Sequence, residues 1–158
     1  MKILIYGLNF YPEIVGVGKY TYELASYLAV NNEVRVITSN KYFPNWRVEN
    51  NFYRKEIIQN CLVFRSPIYV PQRPSGFKRL IHLISFAVTS LPNLFLQIKW
   101  KPQIVIVIAP TILTTQNIIF LKKLYGRNCR TWLHIQDLEI NAAKELGIIK
   151  RNYLYKSI

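Results

Sequence analysis

Residues 2–38, KILIYGLNFYPEIVGVGKYTYELASYLAVNNEVRVIT, decide the fold. KILIYGL (2–8) is a short apolar run rich in β-formers, the pattern of a strand buried on both faces. From Gly18 to Val30 the apolar residues Tyr20, Leu24, Tyr27 and Leu28 fall at helical spacing. Asn31 and Asn32 end that helix, and EVRVIT (33–38) reads as a second strand. Strand, helix and strand in so short a stretch make a βαβ unit, which requires parallel strands joined by a right-handed crossover.

Beyond it, SNKYFPNWRVENNFYRKE (39–56) is polar, aromatic and without clear period, so an irregular excursion is expected. Two short apolar runs follow, around Ile57 and Ile58 and in CLVFR (61–65); a hairpin and one bent strand both fit. SPIYVPQRPSG (66–76) carries three prolines and must be extended loop. Residues 77–99 read as mostly helical, with Ser90, Leu91 and Pro92 marking a kink or a restart. QIVIVIA (103–109) is strand, 114–125 helix with Gly126 suited to its C-terminal cap, CRTWLHIQD (129–137) strand and LEINAAKELG (138–147) a short helix. The alternation predicts one α/β domain over residues 1–158, a Rossmann-like, doubly wound parallel sheet.

Charge is the outlier of the composition. Lys and Arg number 21 against 8 acidic residues, a formal +13, which favours anionic partners: phosphate-bearing substrates, an anionic membrane surface or nucleic acid. Many aromatic residues fall inside predicted strands and helices and no RRM, KH or zinc-finger signature is present, so nucleic acid is the less favoured of the three. Cys61 and Cys129 are far apart and form no CxxC or Cys/His cluster, which points to buried reduced thiols of a cytoplasmic protein and to no metal site. The start, MKILIYGL, runs straight into a strand pattern and lacks the features of a signal peptide.

In an open parallel sheet, ligands bind beyond the carboxyl ends of the strands where strand order reverses. Three segments are expected to gather there: the loop from Asn9 to Gly18, Ala109-Pro110-Thr111, and His134 to Asp137. The opening loop is neither a dinucleotide fingerprint nor a P-loop. Gly16 lies too far past the strand for the first, with Thr21 where the third glycine belongs; Glu13 and Tyr20 occupy required positions of the second. What remains is Gly16 and Gly18 at a helix start, followed by Lys19. Exposed N–H groups, the positive helix end and the ammonium would suit a diphosphate, and a tight turn alone would also explain the glycines. His134 and Asp137 follow an apolar strand; a site role and a structural one are both open, since Asp137 could simply cap the next helix.

FKRLIHLISFAVTSLPNLFLQIKWK (77–101) is long enough to raise a membrane span, but Pro92 interrupts it. His82, Ser85, Thr89, Asn93 and Gln97 recur along one side, and Leu80, Leu83, Ile84, Ala87, Leu91 and Leu94 hold the other. Arg73, Lys78 and Arg79 precede it and Lys99 and Lys101 close it. Such a helix either covers one face of the sheet or also rests on an anionic bilayer.

The opening MKILIYGLNFYPEIVGVGKYTYELASYLA, then EVRVIT, YFPNW, SPIYVPQRPSGFKRLIHLISFAV, KPQIVIVIAPT and WLHIQDLE together resemble the family-4 glycosyltransferases of the GT-B fold, most of all those of colanic-acid and exopolysaccharide biosynthesis. The resemblance implies retaining transfer of a sugar from a nucleotide-sugar to a glycan or lipid-diphosphate acceptor at the cytoplasmic membrane face, without a cofactor or metal. It assigns Gly16, Gly18 and Lys19 to the donor diphosphate, places His134 and Asp137 beside the transferred sugar, and leaves Glu13, Pro110 and Thr111 for the acceptor cleft. Arg73, Lys78, Arg79, Lys99 and Lys101 would face the membrane. The family's donor domain carries two Glu separated by seven residues, and no Glu of this chain has another eight positions on. The expectation is therefore the acceptor-side half alone, inactive until a donor-binding domain joins it, from the same or from a separate chain.

Overall fold

The computed structural model describes residues 1–13, 16–48, 50–73, 75–109 and 112–136. The helix expected at 138–147 lies outside them, as do Pro110, Thr111 and Asp137. The elements are β1 (Lys2–Tyr6), α1 (Val17–Leu28), β2 (Glu33–Ser39), β3 (Arg54–Ile58), β4 (Cys61–Ser66), α2 (Gly76–Thr89), α3 (Leu91–Trp100), β5 (Ile104–Ala109), α4 (Ile112–Tyr125) and β6 (Arg130–Ile135).

The strands form one sheet in the order β3-β4-β2-β1-β5-β6, parallel throughout except for β3. Chain order reverses at β1, which has β2 on one side and β5 on the other, so the two crossovers leave in opposite directions and open a crevice between them. The open choice at 57–65 resolves as a hairpin. Gln59 and Asn60 both take positive φ (45° and 63°), the conformation that a two-residue hairpin loop matched to strand twist demands.

Strand alternation divides the core. Ile3 and Ile5 join Val34, Val36, Val63, Ile106 and Ile108 under α1, where Ala25 lets the helix approach closely. Leu4 and Tyr6 point the other way and pack with Ile37, Phe64, Phe86 and Leu94, closed by Ile118, Leu121 and Tyr125 of α4. At the far edge, Trp132, Leu133 and Ile135 of β6 stay exposed.

The stretch at 90–92 is a restart. Ser90 carries the backbone bonds across, with its N–H on Phe86 O at 2.9 Å and its carbonyl accepting from Leu94 N at 3.0 Å, and Pro92 fits the first turn of α3, where its missing N–H costs nothing. The two sides of this helix pair do not divide cleanly into inside and outside: Ala87 and Leu94 of the apolar side are buried, and Leu83 and Leu91 pack against the core. His82, Asn93 and Gln97 are buried and Ser85 and Thr89 half-buried, whereas Leu80, Ile81, Ile84 and Val88 are exposed. The reason is the chemistry of what lies beneath. Ser90 Oγ meets Tyr6 OH at 2.6 Å, Asn93 Nδ2 donates to Ser66 Oγ at 2.9 Å, Thr89 Oγ1 to Pro67 O at 2.5 Å, and Gln97 Oε1 accepts from Arg35 Nη1 at 3.1 Å. A polar floor selects a polar stripe, since a buried polar group without a partner costs about 1–3 kcal/mol. Phe86, Leu94 and Trp100 fill the gaps between those bonds.

Candidate functional site

The loop after β1 and the loop after β2 meet above the carboxyl end of the sheet, and Glu13 ties them together. Its Oε1 accepts from the backbone N–H groups of Tyr42 and Phe43, both at 3.0 Å, and its Oε2 from Asn9 Nδ2 at 2.6 Å. Asn9 Nδ2 also donates to Tyr42 OH at 3.1 Å. At 4% exposure Glu13 lies beneath the cleft wall, holding it in place.

The two glycines of the opening loop have different tasks. Gly16, the residue before α1, is exposed, takes φ 57°, and has open space where a Cβ would stand. Among the described residues no side chain caps the first turn of α1 and no acidic residue lies in it, which leaves its N–H groups open to an anion. Gly18 is buried, and a Cβ there would stand 2.5 Å from Glu13 O. Close packing of helix on loop accounts for it. Lys19 points outward, pairing with Glu23 at 3.8 Å and lying 6.0 Å from the Tyr20 ring centre.

Beside Gly16 opens a cavity of about 300 Å³. Asn9, Gly16 and Gly18 form one wall, Tyr42, Phe43 and Trp46 a second, and Arg79 and His82 of α2 a third. Trp46 holds positive φ (50°), uncommon for a bulky residue, and sets its ring 5.7 Å from Tyr42, 5.6 Å from His82 and 5.9 Å from the Arg79 guanidinium. His82 Nδ1 donates to Tyr69 O at 2.5 Å, and Nε2 is buried with no partner among the described residues. Burial holds its pKa below the ordinary 6.5, against the Tyr69 bond, which raises it. The imidazole is thus neutral with an acceptor at Nε2. Neither the aromatic wall nor His82 was selected from the sequence as a site. The signal lay in YFPNW and in one histidine within an apolar run.

His134 is placed on β6, opposite Ile108 of β5 and half-buried, with the Trp132 ring 6.2 Å away. Just past the strand, Gln136 Nε2 donates to Thr21 Oγ1 at 3.5 Å, and Thr21 Oγ1 in turn donates to Val17 O at 2.7 Å. The end of β6 is thereby joined to the first turn of α1, so two of the three segments expected to converge do so. Of the third, Ala109 ends β5 opposite Ile135, and Pro110 and Thr111, like Asp137, lie outside the described residues. Among the described residues no cluster of His, Cys, Asp and Glu is arranged for a metal ion.

Arg73, Lys78 and Arg79 stand exposed around the start of α2, and Lys99 and Lys101 around the end of α3. Between them runs the outward apolar face of Phe77, Leu80, Ile81, Ile84, Val88 and Leu96. Gly76–Trp100 spans 25 residues, a length that could cross a bilayer, but its inner side is hydrogen-bonded to the sheet as described above.

No family model matches the chain. Over 153 residues it is 46% identical to WcaI of Escherichia coli (strain K12), a protein that carries the name colanic acid biosynthesis glycosyl transferase; the match takes in 94% of this chain. In sequence, the chain is a relative of the colanic-acid type of family-4 glycosyltransferase. It spans 37% of the length of that relative. The six-stranded, mostly parallel sheet flanked by helices is the Rossmann-like half of a GT-B fold, as expected for such a relative.

Proposed function

We propose that this chain is the acceptor-side domain of a retaining glycosyltransferase that moves a sugar from a nucleotide-sugar to a lipid-linked glycan acceptor in surface polysaccharide biosynthesis. The observation that carries the reading is the 46% identity to WcaI, and the cavity beside Gly16 agrees with it in position and lining. In this reading the open first turn of α1 lends its N–H groups to the donor diphosphate and the helix end steadies the departing charge. Tyr42 and Trp46 offer flat, apolar ring faces to a sugar, and Arg79 offers a cation to the acceptor's phosphate. His134 stands beside the transferred sugar. The main grip on the nucleotide-sugar belongs to a donor-binding domain outside these 158 residues, whether on the same chain or on a partner.

The acceptor's lipid gives the exposed face of α2 and α3 its purpose. Phe77, Leu80, Ile81 and Ile84 enter the headgroup boundary of an anionic bilayer at the cytoplasmic face, and each flanking Lys or Arg adds about 1 kcal/mol near such a surface. The test is transfer of radiolabelled sugar from a panel of nucleotide-sugars to lipid-extractable product, with membranes as acceptor. Residues 1–158 alone are expected to give none, and the chain joined to its donor-binding domain to give turnover that His134→Ala removes. Robust turnover by residues 1–158 alone, or none by the joined protein with any nucleotide-sugar, refutes the reading.

A further inference from the structure

Behind Tyr42 and Phe43, on the other side of the wall they form, lies a second cavity of about 600 Å³. Lys41, Arg47, Arg54 and Arg65 line it, and Glu56 is the one carboxylate among its described lining residues. Glu56 is already engaged by Arg65 Nε, whose other nitrogens donate to Ser39 O at 3.1 Å and to Tyr11 O. Arg65 is therefore a fixed, neutralised wall. Arg54 is different. Its Nε and Nη2 donate to Asn40 Oδ1 at 3.3 and 3.2 Å, and Asn40, itself fully buried, is held by its own Nδ2 on Phe52 O at 3.0 Å. A neutral amide thus aims the guanidinium without cancelling its charge. Lys41 and Arg47 have no carboxylate partner among the described residues.

Three cations with no carboxylate partner among the described residues, one of them aimed from behind, match an oxyanion, and guanidinium groups match carboxylate and phosphate oxygens two at a time. The volume is far more than a bare ion needs and suits a sugar ring with its charge. The cavity's charged floor faces away from the exposed side of α2. Arg65 follows Phe64 on β4 and so points to the face of the sheet that carries α1, opposite the α2 face. Resting on the glycosyltransferase reading for the identity of the ligand, we propose that this cavity is a subsite for an acidic sugar residue of the acceptor glycan, bearing either a carboxylate or a phosphate. A glycan seated against Tyr42 and Phe43 in the first cavity needs only to pass that wall to reach it.

Isothermal titration of the full chain at constant ionic strength, with glucuronate, glucose 6-phosphate and glucose as probes, decides the matter. One or both acidic sugars should bind and glucose should not; which of the two binds tells carboxylate from phosphate. The exposed pair Arg47→Gln with Arg54→Gln should weaken that binding at least roughly tenfold, the equivalent of one lost charged hydrogen bond. Lys122→Gln with Lys123→Gln, in the last turn of α4, should leave it unchanged. Binding of neither acidic sugar, equal binding of glucose, or unchanged affinity in the Arg47 and Arg54 variant overturns the proposal. Failure here with sugar transfer intact would remove only this subsite, whereas anion binding without any transfer would leave the site standing and remove its assignment to an acceptor.

Discussion

Replacing Glu13 by alanine removes one buried carboxylate and leaves three donors without it at once. Tyr42 N and Phe43 N each lose an acceptor at 3.0 Å, and Asn9 Nδ2 loses one at 2.6 Å. A buried donor without a partner costs about 1–3 kcal/mol. Two circumstances reduce the total: Asn9 keeps Tyr42 OH at 3.1 Å, and the freed loop can open to water. The expected loss is therefore about 2–4 kcal/mol, short of three full penalties. For a domain of this size each kcal/mol moves Tm by roughly 2–4 °C, so Glu13→Ala should melt about 5–15 °C below the parent. Glu13→Gln behaves differently. Its amide oxygen can serve both backbone N–H groups, and its NH₂ then faces Asn9, whose own amide can turn over to accept while Tyr42 OH donates. That costs about 1 kcal/mol. Thermal unfolding followed by circular dichroism, together with transfer kinetics of the joined protein, reads both variants. A clamp predicts that stability and acceptor KM worsen together in Glu13→Ala and that both largely survive in Glu13→Gln. Loss of transfer in Glu13→Gln at parental stability would show a chemical role, and a Glu13→Ala melting point within about 2 °C of the parent would show that the clamp holds nothing; either refutes the account.

The exposed face of α2 predicts that Leu80→Glu with Ile84→Glu leaves stability within about 0.5 kcal/mol but abolishes flotation with anionic vesicles. Equal recovery of the parent chain with neutral and anionic vesicles would end the membrane assignment. His82 predicts a pH effect of definite sign. Its folded pKa is lowered by burial, so the unfolded chain takes up the proton first, and stability that is present above pH 6.5 falls as pH drops below 6.5 toward the folded value. Denaturation of the parent and of His82→Gln across that range should give a steeper slope for the parent, and parallel slopes would refute the neutral, buried imidazole.

What the sequence made legible followed from local rules. The βαβ start rests on local periodicity, and Gln59-Asn60 and Pro92 marked a turn and a break while leaving hairpin or bent strand, and kink or restart, for the structure to decide. The irregular stretch at 39–56 concealed most of the site, because its order comes from partners far along the chain. Glu13 reaches Tyr42 and Phe43, the Tyr42 ring meets His82 at 4.7 Å, and Asn51 holds both the N–H and the carbonyl of Ile68. No period or spacing encodes such bonds. The glycine pair shows the same limit at shorter range. Both residues sit at one helix start, yet Gly16 is required by its backbone angle and Gly18 by the carbonyl of Glu13 behind it.

The inward polar stripe of the helix pair joins the fold to the function. An amphipathic pattern says that two sides differ, and the usual assignment of the apolar side to the core assumes an apolar surface to meet it. Here the floor presented to α2 and α3 includes the hydroxyls of Tyr6 and Ser66 and the carbonyls of Pro67 and Tyr69. Burying leucines on those groups would orphan each of them, at about 1–3 kcal/mol apiece, whereas the polar stripe satisfies them. Once that stripe is turned inward, rotation about the helix axis leaves no choice for Leu80, Ile81, Ile84 and Val88, which must face out. A contiguous apolar face flanked by cations is rarely left to water on a soluble domain. The same hydrogen bonds that seat the helix on the sheet therefore create the surface that the proposed function assigns to a bilayer, on the helix that also carries Arg79 and His82 into the cavity beside Gly16.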